Sequence, residues 1–212
     1  MRSRWLGFVV VAITMGFSLW AYPRLPGEVP SHWNLRGEVD DHAPKLLVAL
    51  LVPVMLLVMR GVFEILPQID PKRANYPMFI DTYWRIANGS FLLLGAVHVA
   101  VLGIGLGWDL NLNRALMIGL GVLMLIIGNY LSRVQPNWFI GIRTPWTLSS
   151  ETVWRRTHRT GSWLFVALGM MTLVVSVIAR APTLALVVPV IAVAALGLVV
   201  QSYVLWRKEQ QG

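Results

Sequence analysis

The stretch LLVALLVPVMLLVMRGVFEIL, from Leu46 to Leu66, decides the fold class of this 212-residue chain. Only Arg60 and Glu64 in it are charged, and a helix that spans a bilayer needs roughly 20 mostly apolar residues. Five other segments have a similar composition: Trp5–Tyr22, Ile86–Leu106, Ala115–Leu131, Ser162–Ala179 and Leu184–Trp206. The sequence therefore predicts an all-α, polytopic integral membrane protein with about six transmembrane helices.

The overall composition also indicates a membrane protein. Hydrophobic residues make up 56% of the chain and charged residues 13%, whereas a soluble domain carries about 25% charged residues. The mean hydropathy is +0.63, and the ten tryptophans fit the preference of indole rings for the headgroup level. The absence of cysteine excludes disulfides, thiolate metal sites and cysteine nucleophiles.

The first apolar segment has two interpretations. Arg2 and Arg4 precede it, as in a secretory signal peptide, but the bulky Trp20 before Ala21 makes a poor cleavage site. We therefore predict a retained helix. Pro53 falls inside another segment, and bilayer helices tolerate such a proline where a neighbour satisfies the freed carbonyl.

The positions of lysine and arginine outside the predicted spans indicate the orientation. One side carries twelve of these residues, and the other carries five, namely Arg24, Arg36, Lys45, Arg114 and Arg180. Because positive residues favour the cytoplasm, we expect both termini to be cytoplasmic. The predicted organisation is a two-helix unit with an extracytoplasmic polar loop, residues 1–84, followed by a four-helix domain, residues 85–212, with a long cytoplasmic loop at 132–161.

The outer loop, residues 22–45, reads YPRLPGEVPSHWNLRGEVDDHAPK. His32, Asp40 and His42 are acceptable ligands for a divalent cation such as zinc, although their spacing matches no established metal motif. Alternatively, the loop is held by turns, with Asn34 and Gly37 supplying local hydrogen bonds and a positive φ.

A further interpretation of the outer loop is a surface that binds an extracellular ligand, since loops on a rigid scaffold commonly carry binding residues. Trp33 would supply an apolar anchor there, or would instead dip into the headgroup layer. The candidate ligand-binding residues are His32, Trp33, Asn34, Asp40 and His42.

Three ionisable residues fall inside predicted spans, where such groups are functional candidates by default. Arg60 and Glu64 lie four residues apart, on one face of a helix, where they can pair. His98 is predicted either to bind a ligand or relay protons, or to stay neutral and hydrogen-bond a neighbouring helix. A transporter would carry several convergent charges, so transport is not indicated.

The long inner loop is the most distinctive segment: GNYLSRVQPNWFIGIRTPWTLSSETVWRRTHRTGSWLF, residues 128–165. It interleaves arginine with tryptophan, which suits an anionic lipid interface or a docked cytoplasmic protein. Direct binding of nucleic acid is not expected of a loop tethered to the membrane. Residues 138–142 are β-prone, and Ser149 or Ser150 is predicted to cap a short helix.

The inner loop supplies the candidates for partner docking or for a structural motif, and no catalytic residue is predicted. Ser150 and His158 flank Glu151 on one short helix, where the three would not form a triad. The candidates are Asn129, Asn137, Arg143, Trp146, Glu151, Trp154 and His158.

This inner segment resembles the signature of the SdpI family of bacterial membrane proteins, and residues 25–45 are similar to the small domain of unknown function that often precedes it. The matching outer positions are Pro30, His32, Asn34, Gly37, Asp40 and Lys45. The matching inner positions are Gly128, Asn129, Pro136, Asn137, Gly141, Arg143, Thr144, Pro145, Trp146, Ser149, Trp154, Thr157, His158 and Gly161.

The resemblance implies a multi-pass protein of the bacterial inner membrane that gives immunity to a secreted antimicrobial peptide. The family's founding member protects a toxin-producing bacterium from its own peptide, and is also described as a receptor that sequesters a transcriptional repressor. The outer loop would then engage the peptide, and the inner loop would contact membrane lipids or dock a cytoplasmic regulator. The alternatives are a small membrane enzyme or transporter with the outer metal site, and a scaffold whose motifs serve only folding and oligomerisation.

Overall fold

A computed structural model describes residues 2–34, 36–179 and 184–211 of the chain. Its helices are α1 (Leu6–Ala21), α2 (Lys45–Ile69), α3 (Ile80–Gly105), α4 (Leu112–Leu131), α5 (Pro145–Ser149), α6 (Glu151–Ile178) and α7 (Leu184–Glu209). Two strands, β1 (Glu28–Trp33) and β2 (Val39–Pro44), pair antiparallel between α1 and α2. Short 3₁₀ turns lie at Arg2–Trp5, Tyr22–Arg24 and Arg73–Met78.

Within the described residues, six helices are long and apolar enough to cross a bilayer. This confirms the prediction of a mainly helical, polytopic membrane protein. The hairpin β1–β2 replaces the irregular outer loop that the sequence predicted. Residues 180–183, which connect the last two predicted spans, lie outside the described residues.

Helix α6 corrects the predicted end of the inner loop. The sequence predicted a short helix and then a separate span from Ser162, but α6 runs unbroken from Glu151 to Ile178. The side chain of Ser150 caps it by accepting a hydrogen bond from Val153 N at 3.2 Å. Average hydropathy places the end of a predicted span where charged residues begin. An amphipathic helix continues through such residues, because they lie on its polar face. The β-prone residues 138–142 are an irregular turn in the structure.

Glycines on α4 and α6 bring these two helices into backbone contact. A Cβ on Gly121 would lie 3.1 Å from Gly169 O, and one on Gly169 would lie 2.9 Å from Gly121 O. A Cβ on Gly128 would lie 2.7 Å from Val166 N and 2.9 Å from Ser162 O. Small residues permit such close approach of helices in a membrane, where association depends on packing rather than on the hydrophobic effect.

A proline in α2 organises a chain of hydrogen bonds across α1, α2 and α3. Pro53 has no N–H, so the carbonyl of Ala49, four residues earlier, loses its helical partner. The hydroxyl of Ser18 on α1 donates to this carbonyl at 2.7 Å. His98 Nε2 on α3 lies 2.7 Å from the same hydroxyl oxygen. The expectation that a neighbour satisfies the carbonyl freed by proline is confirmed.

The elements define two ends of the helical bundle. The hairpin end holds β1–β2, the last turn of α3 and the first turn of α4. The motif end holds residues 132–150, the turn Arg73–Met78 and the C-terminal part of α7. Between the ends, the aromatic side chains of Tyr83, Trp84 and Phe91 on α3 form the centre of the core.

Candidate functional site

The hairpin is held by its own turn, as the sequence predicted. The carboxamide oxygen of Asn34 accepts hydrogen bonds from Arg36 N at 2.8 Å and Glu38 N at 3.1 Å. Gly37 has a φ of +79°, in the region that favours glycine. Asn34 Nδ2 also donates to Glu38 Oε2 at 2.9 Å. Asn34 is therefore a structural residue of the turn as well as a candidate ligand contact.

The structure does not assemble the predicted three-residue metal site. His32 Nδ1 lies 2.6 Å from Asp40 Oδ1, so two of the three residues meet. His42, however, pairs with Pro30, farther along the ladder. In residues 2–34, 36–179 and 184–211, no group of three or more His, Asp or Glu side chains is placed to hold a metal ion. The carboxylate of Asp40 already has His32 as its partner, and the prediction of zinc at these residues has no support in the fold.

Apolar residues fix the hairpin on the helices. Val29 of β1 is fully buried, and Leu25 is nearly so, against Ala21 and Leu102. A Cβ on Gly105 of α3 would lie 2.8 Å from Val29 Cγ1, so the hairpin sits directly on the end of α3. These apolar contacts fix the hairpin on the helical bundle, although most of its polar side chains are exposed.

The exposed side of the hairpin is acidic. Residues 28–45 contain four carboxylates against two cationic side chains, Arg36 and Lys45. Lys45 Nζ points back to the backbone carbonyls of Tyr22 and Leu25, each at 3.4 Å. The hairpin therefore presents net negative charge at one end of a chain whose formal net charge is +8. Such a surface favours cationic ligands.

The motif end is a turn sealed by side-chain hydrogen bonds, with Asn137 at its centre. Asn137 is fully buried. Its Oδ1 accepts from Phe139 N and Ile140 N, both at 2.8 Å. Its Nδ2 donates to Gln135 O at 2.9 Å and Ile140 O at 3.0 Å. All four hydrogen bonds of this side chain are made with backbone atoms of the turn.

His158 and Trp154 of α6 close the same turn. His158 Nδ1 donates to Trp154 O at 2.9 Å, and its Nε2 accepts from Ile142 N at 3.1 Å. Trp154 Nε1 donates to Val134 O at 2.8 Å, and its ring stacks on the His158 ring at 4.0 Å. Gly141 has a φ of +111°, and a Cβ there would collide with His158 Nε2. His158 and Trp154 are almost completely buried, so their hydrogen bonds stabilise the turn.

Two further anchors of the sealed turn were missed by the sequence predictions. Asp70, which follows α2, accepts from Tyr76 Oη and from Trp138 N, each at 2.9 Å, through Oδ2. Ser202 of α7 shares a 2.9 Å hydrogen bond with the hydroxyl of Thr144, the residue that caps α5. Asp70 is 2% exposed and Ser202 is fully buried. These contacts attach the turn to α2 and α7.

The other predicted motif residues lie on the surface around the sealed turn. Arg143 is exposed and donates to Trp138 O at 2.6 Å, and Trp146 packs on Tyr203 of α7 with ring centroids 5.1 Å apart. Glu151 lies in the first turn of α6, where the helix dipole favours an anion. Asn129 lines a groove of about 610 Å³ between α4 and α6 whose cationic residues are Arg155, Arg156 and Arg159.

The predicted intramembrane ion pair is present and is larger than expected. Arg60 Nη1 lies 2.6 Å from Glu64 Oε2, and Arg4 also pairs with Glu64. The Arg60 guanidinium is sandwiched between the rings of Phe8, at 4.2 Å, and Trp84, at 4.4 Å. These contacts tie α1, α2 and α3 together near the motif end. His98 makes the hydrogen bond to a neighbouring helix that the sequence offered as one alternative, with Ser18 of α1 as its partner.

Comparisons with known proteins match both parts of the chain. Residues 133–202 match the SdpI/YfhL protein family, and residues 9–57 match a domain of unknown function, DUF1648. The Immunity protein SdpI of Bacillus subtilis (strain 168) is 28% identical over 176 residues, which cover 83% of this chain and 82% of that protein. No solved structure matches the chain.

Each matched segment includes one end of the fold. The segment 133–202 contains the sealed turn, α6 and Ser202, and the segment 9–57 contains most of α1, the hairpin and the first half of α2. The protein is a multi-pass membrane protein in which residues 133–202 are similar to the SdpI/YfhL protein family and residues 9–57 are similar to the domain DUF1648.

Proposed function

We propose that this chain is a bacterial membrane immunity protein that protects its cell from a secreted antimicrobial peptide, and that the hairpin is the surface that meets the peptide. The likeness to the Immunity protein SdpI supports the immunity. The observation that supports the role of the hairpin is its exposed acidic face. Buried apolar residues fix the hairpin on the ends of the helices. Antimicrobial peptides that act on anionic membranes are typically cationic.

The proposed orientation places the hairpin outside the cell. The motif end and the two terminal segments carry most of the lysines and arginines outside the spans, which favours the cytoplasmic side for that end. A reporter enzyme that is active only outside the cytoplasm, fused to the C-terminus, should be inactive. Activity of that fusion would overturn the orientation and with it the role of the hairpin.

The proposed role of the motif end is mainly structural. Asn137, Trp154 and His158 are buried in the sealed turn, so a cytoplasmic regulator would have only the exposed side chains around it, such as Arg143 and Glu151. The exposed arginines of α6 favour contacts with anionic lipid headgroups. Docking of a transcriptional regulator stays a prediction from the family resemblance.

Immunity is tested by expressing the chain in bacteria that lack an SdpI-type protein. The inhibitory concentration of secreted antimicrobial peptides is compared with that for cells carrying an empty vector. We expect the chain to raise the inhibitory concentration of at least one peptide. Unchanged sensitivity to every peptide, with the protein present in the membrane, would overturn the proposal.

The role of the hairpin is tested with a double variant, Glu28→Gln with Asp41→Asn. Both residues are exposed, and the carboxamide introduced at position 41 would retain an acceptor for His42 N. Asp81→Asn, at the exposed start of α3 at the motif end, removes a charge elsewhere and serves as the control. We expect the double variant to lose protection at normal abundance and the control to keep it. Full protection by the double variant would exclude the acidic face as the peptide contact.

A further inference from the structure

A cavity lies beneath the hairpin, between α2, α3 and α4. Its volume is about 350 Å³, which falls at the lower end of the range of about 300–1,000 Å³ for small-molecule pockets. Trp33 of the hairpin, Leu51 of α2, Val97 of α3 and Leu116 of α4 contribute to its walls. The walls are mainly apolar, and the two ionisable residues that line them are His98 of α3 and His32 of the hairpin.

The hydrogen bonds of His98 determine what this cavity offers an occupant. The hydroxyl of Ser18 has one proton, which it donates to the Ala49 carbonyl, because a carbonyl can only accept. His98 Nε2 must therefore donate to Ser18. A buried charge without a partner is costly, and a neutral imidazole that donates through Nε2 accepts through Nδ1. His98 lines the cavity and is 1% exposed, and Nδ1 is the acceptor that its neutral ring retains while Nε2 donates to Ser18.

We propose that this cavity, here called the His98 cavity, receives a large apolar side chain of a cationic peptide, held by a hydrogen bond from that side chain to His98 Nδ1. Tryptophan has this chemistry, since its ring is apolar and its indole N–H can only donate. The inference rests on the proposed function and names the part of the peptide that the hairpin end recognises.

Charge favours a peptide over a lipid as the occupant. The hairpin that roofs the cavity bears four carboxylates, and one of its two cationic side chains, Lys45, is turned to backbone carbonyls. A lipid phosphate placed beside this hairpin would meet negative charge, whereas the lysines or arginines of a peptide would be attracted. An apolar side chain in the cavity would leave cationic neighbours in the peptide close to the carboxylates of the hairpin, since His32 in the cavity wall contacts Asp40 and lies opposite Asp41 on the ladder.

A small probe tests this recognition without knowledge of the natural peptide. The probe is acetyl-Trp-Lys-Lys-amide with a 5-fluoro label on the indole, and its binding to the purified full chain in phosphatidylcholine nanodiscs is followed by ¹⁹F NMR. We expect saturable binding that is absent from empty nanodiscs. Acetyl-Trp-Glu-Glu-amide, with the same label, should not bind. Equal binding of the two probes, or no saturable binding, would overturn the proposal.

Two variants test separately the hydrogen-bond acceptor of His98 and the volume of the cavity. His98→Gln keeps a donor near Ser18 and removes the acceptor at the Nδ1 position, and should weaken probe binding about tenfold, the usual effect of one lost hydrogen bond. Leu51→Trp, at a position 56% exposed, should fill the cavity and abolish binding. Val58→Trp, at an exposed position two turns along the same face of α2, is its matched control and should bind like the wild type. Undiminished binding to both cavity variants would overturn the proposal.

A photoreactive phospholipid tests the competing occupant. If a lipid with a diazirine in its acyl chain labels Val97 and Leu116, and saturating probe leaves the labelling unchanged, lipid fills the cavity and the proposal is overturned. Displacement of the label by the probe would support it.

The immunity assay distinguishes failure of this inference from failure of the proposed function. Probe binding by a chain that gives no immunity would leave the cavity in place and overturn the function. Protection by the wild type that survives Leu51→Trp would uphold the function and overturn the use of the cavity in it.

Discussion

Replacement of Gly128 by alanine should destabilise the protein, because backbone atoms of α6 occupy the space that the new methyl group needs. The added Cβ would lie 2.7 Å from Val166 N and 2.9 Å from Ser162 O. Non-bonded heavy atoms pack at about 3.5–4.0 Å, so α4 and α6 would have to separate locally by roughly 0.6–0.8 Å. Overpacking of this kind typically costs about 1–3 kcal/mol.

The expected cost translates into a measurable change in unfolding temperature. For a chain of 150–250 residues, 1 kcal/mol corresponds to about 2–4 °C, so Gly128→Ala should lower the Tm by about 2–12 °C. The measurement is thermal unfolding of the purified protein in nanodiscs, followed by circular dichroism. The same substitution at Gly197 of α7 is the control, because a Cβ there would meet nothing within 4 Å. Alanine in place of a helical glycine should stabilise by about 0.5–1 kcal/mol where space allows.

The comparison between these two variants can refute the glycine contact. If Gly128→Ala unfolds at the wild-type temperature or above it, as Gly197→Ala should, then α4 and α6 do not cross with their backbones in contact at this position. A lower Tm in both variants would point to an effect of the substitution in general and would equally remove support for the contact.

Three further perturbations follow from the motif end and the ion pair. Gly141→Ala should lower the Tm by at least as much as Gly128→Ala, since it combines a φ of +111° with a collision against His158 Nε2; a wild-type Tm would show that the turn relaxes. Glu64→Gln should reduce membrane abundance, because it leaves the buried Arg60 with a weaker partner and the loss of one member of a buried pair costs about 3–5 kcal/mol; unchanged abundance on a quantitative immunoblot would contradict this. Burial first, and then the hydrogen bond to Asp70, raises the pKa of Tyr76. Its contribution to stability is therefore complete below the ordinary tyrosine pKa of 10.0 and lost as the pH rises above it; Tyr76→Phe should make the fall of Tm above pH 10 shallower, and an unchanged slope would contradict the assignment.

The membrane spans were predictable because bilayer thickness sets a length that an apolar run either reaches or does not. The start of α6 was not, since its first residues alternate exposed arginines with buried Trp154 and His158 at helical spacing, and average hydropathy hides that pattern. The pairing of Arg60 with Glu64 and the turn at Asn34 were predictable because each depends on residues only a few positions apart.

Contacts between residues far apart in the sequence could not be predicted for the site. Asp70 looks like an ordinary charge at the end of a span, and its role follows only from the fold, which brings Trp138 N to it across 68 positions. On α3, Ala96 is exposed although Ala100, four residues along, is buried, and Gly95 makes the close contact, with Val10 of α1. Spacing identifies a possible face of a helix, whereas the neighbours decide which face is used.

The hydrogen bond between Thr144 and Ser202 also has a consequence for biogenesis. Fifty-eight positions separate the two residues, and synthesis proceeds from the N-terminus at about 5–20 residues per second. Thr144 is therefore synthesised about 3–12 s before its partner on the last helix exists. Until α7 inserts, the Thr144 hydroxyl lacks that partner, so the motif end is completed only when the whole chain has entered the bilayer. A chain truncated before Ser202 would lack this contact.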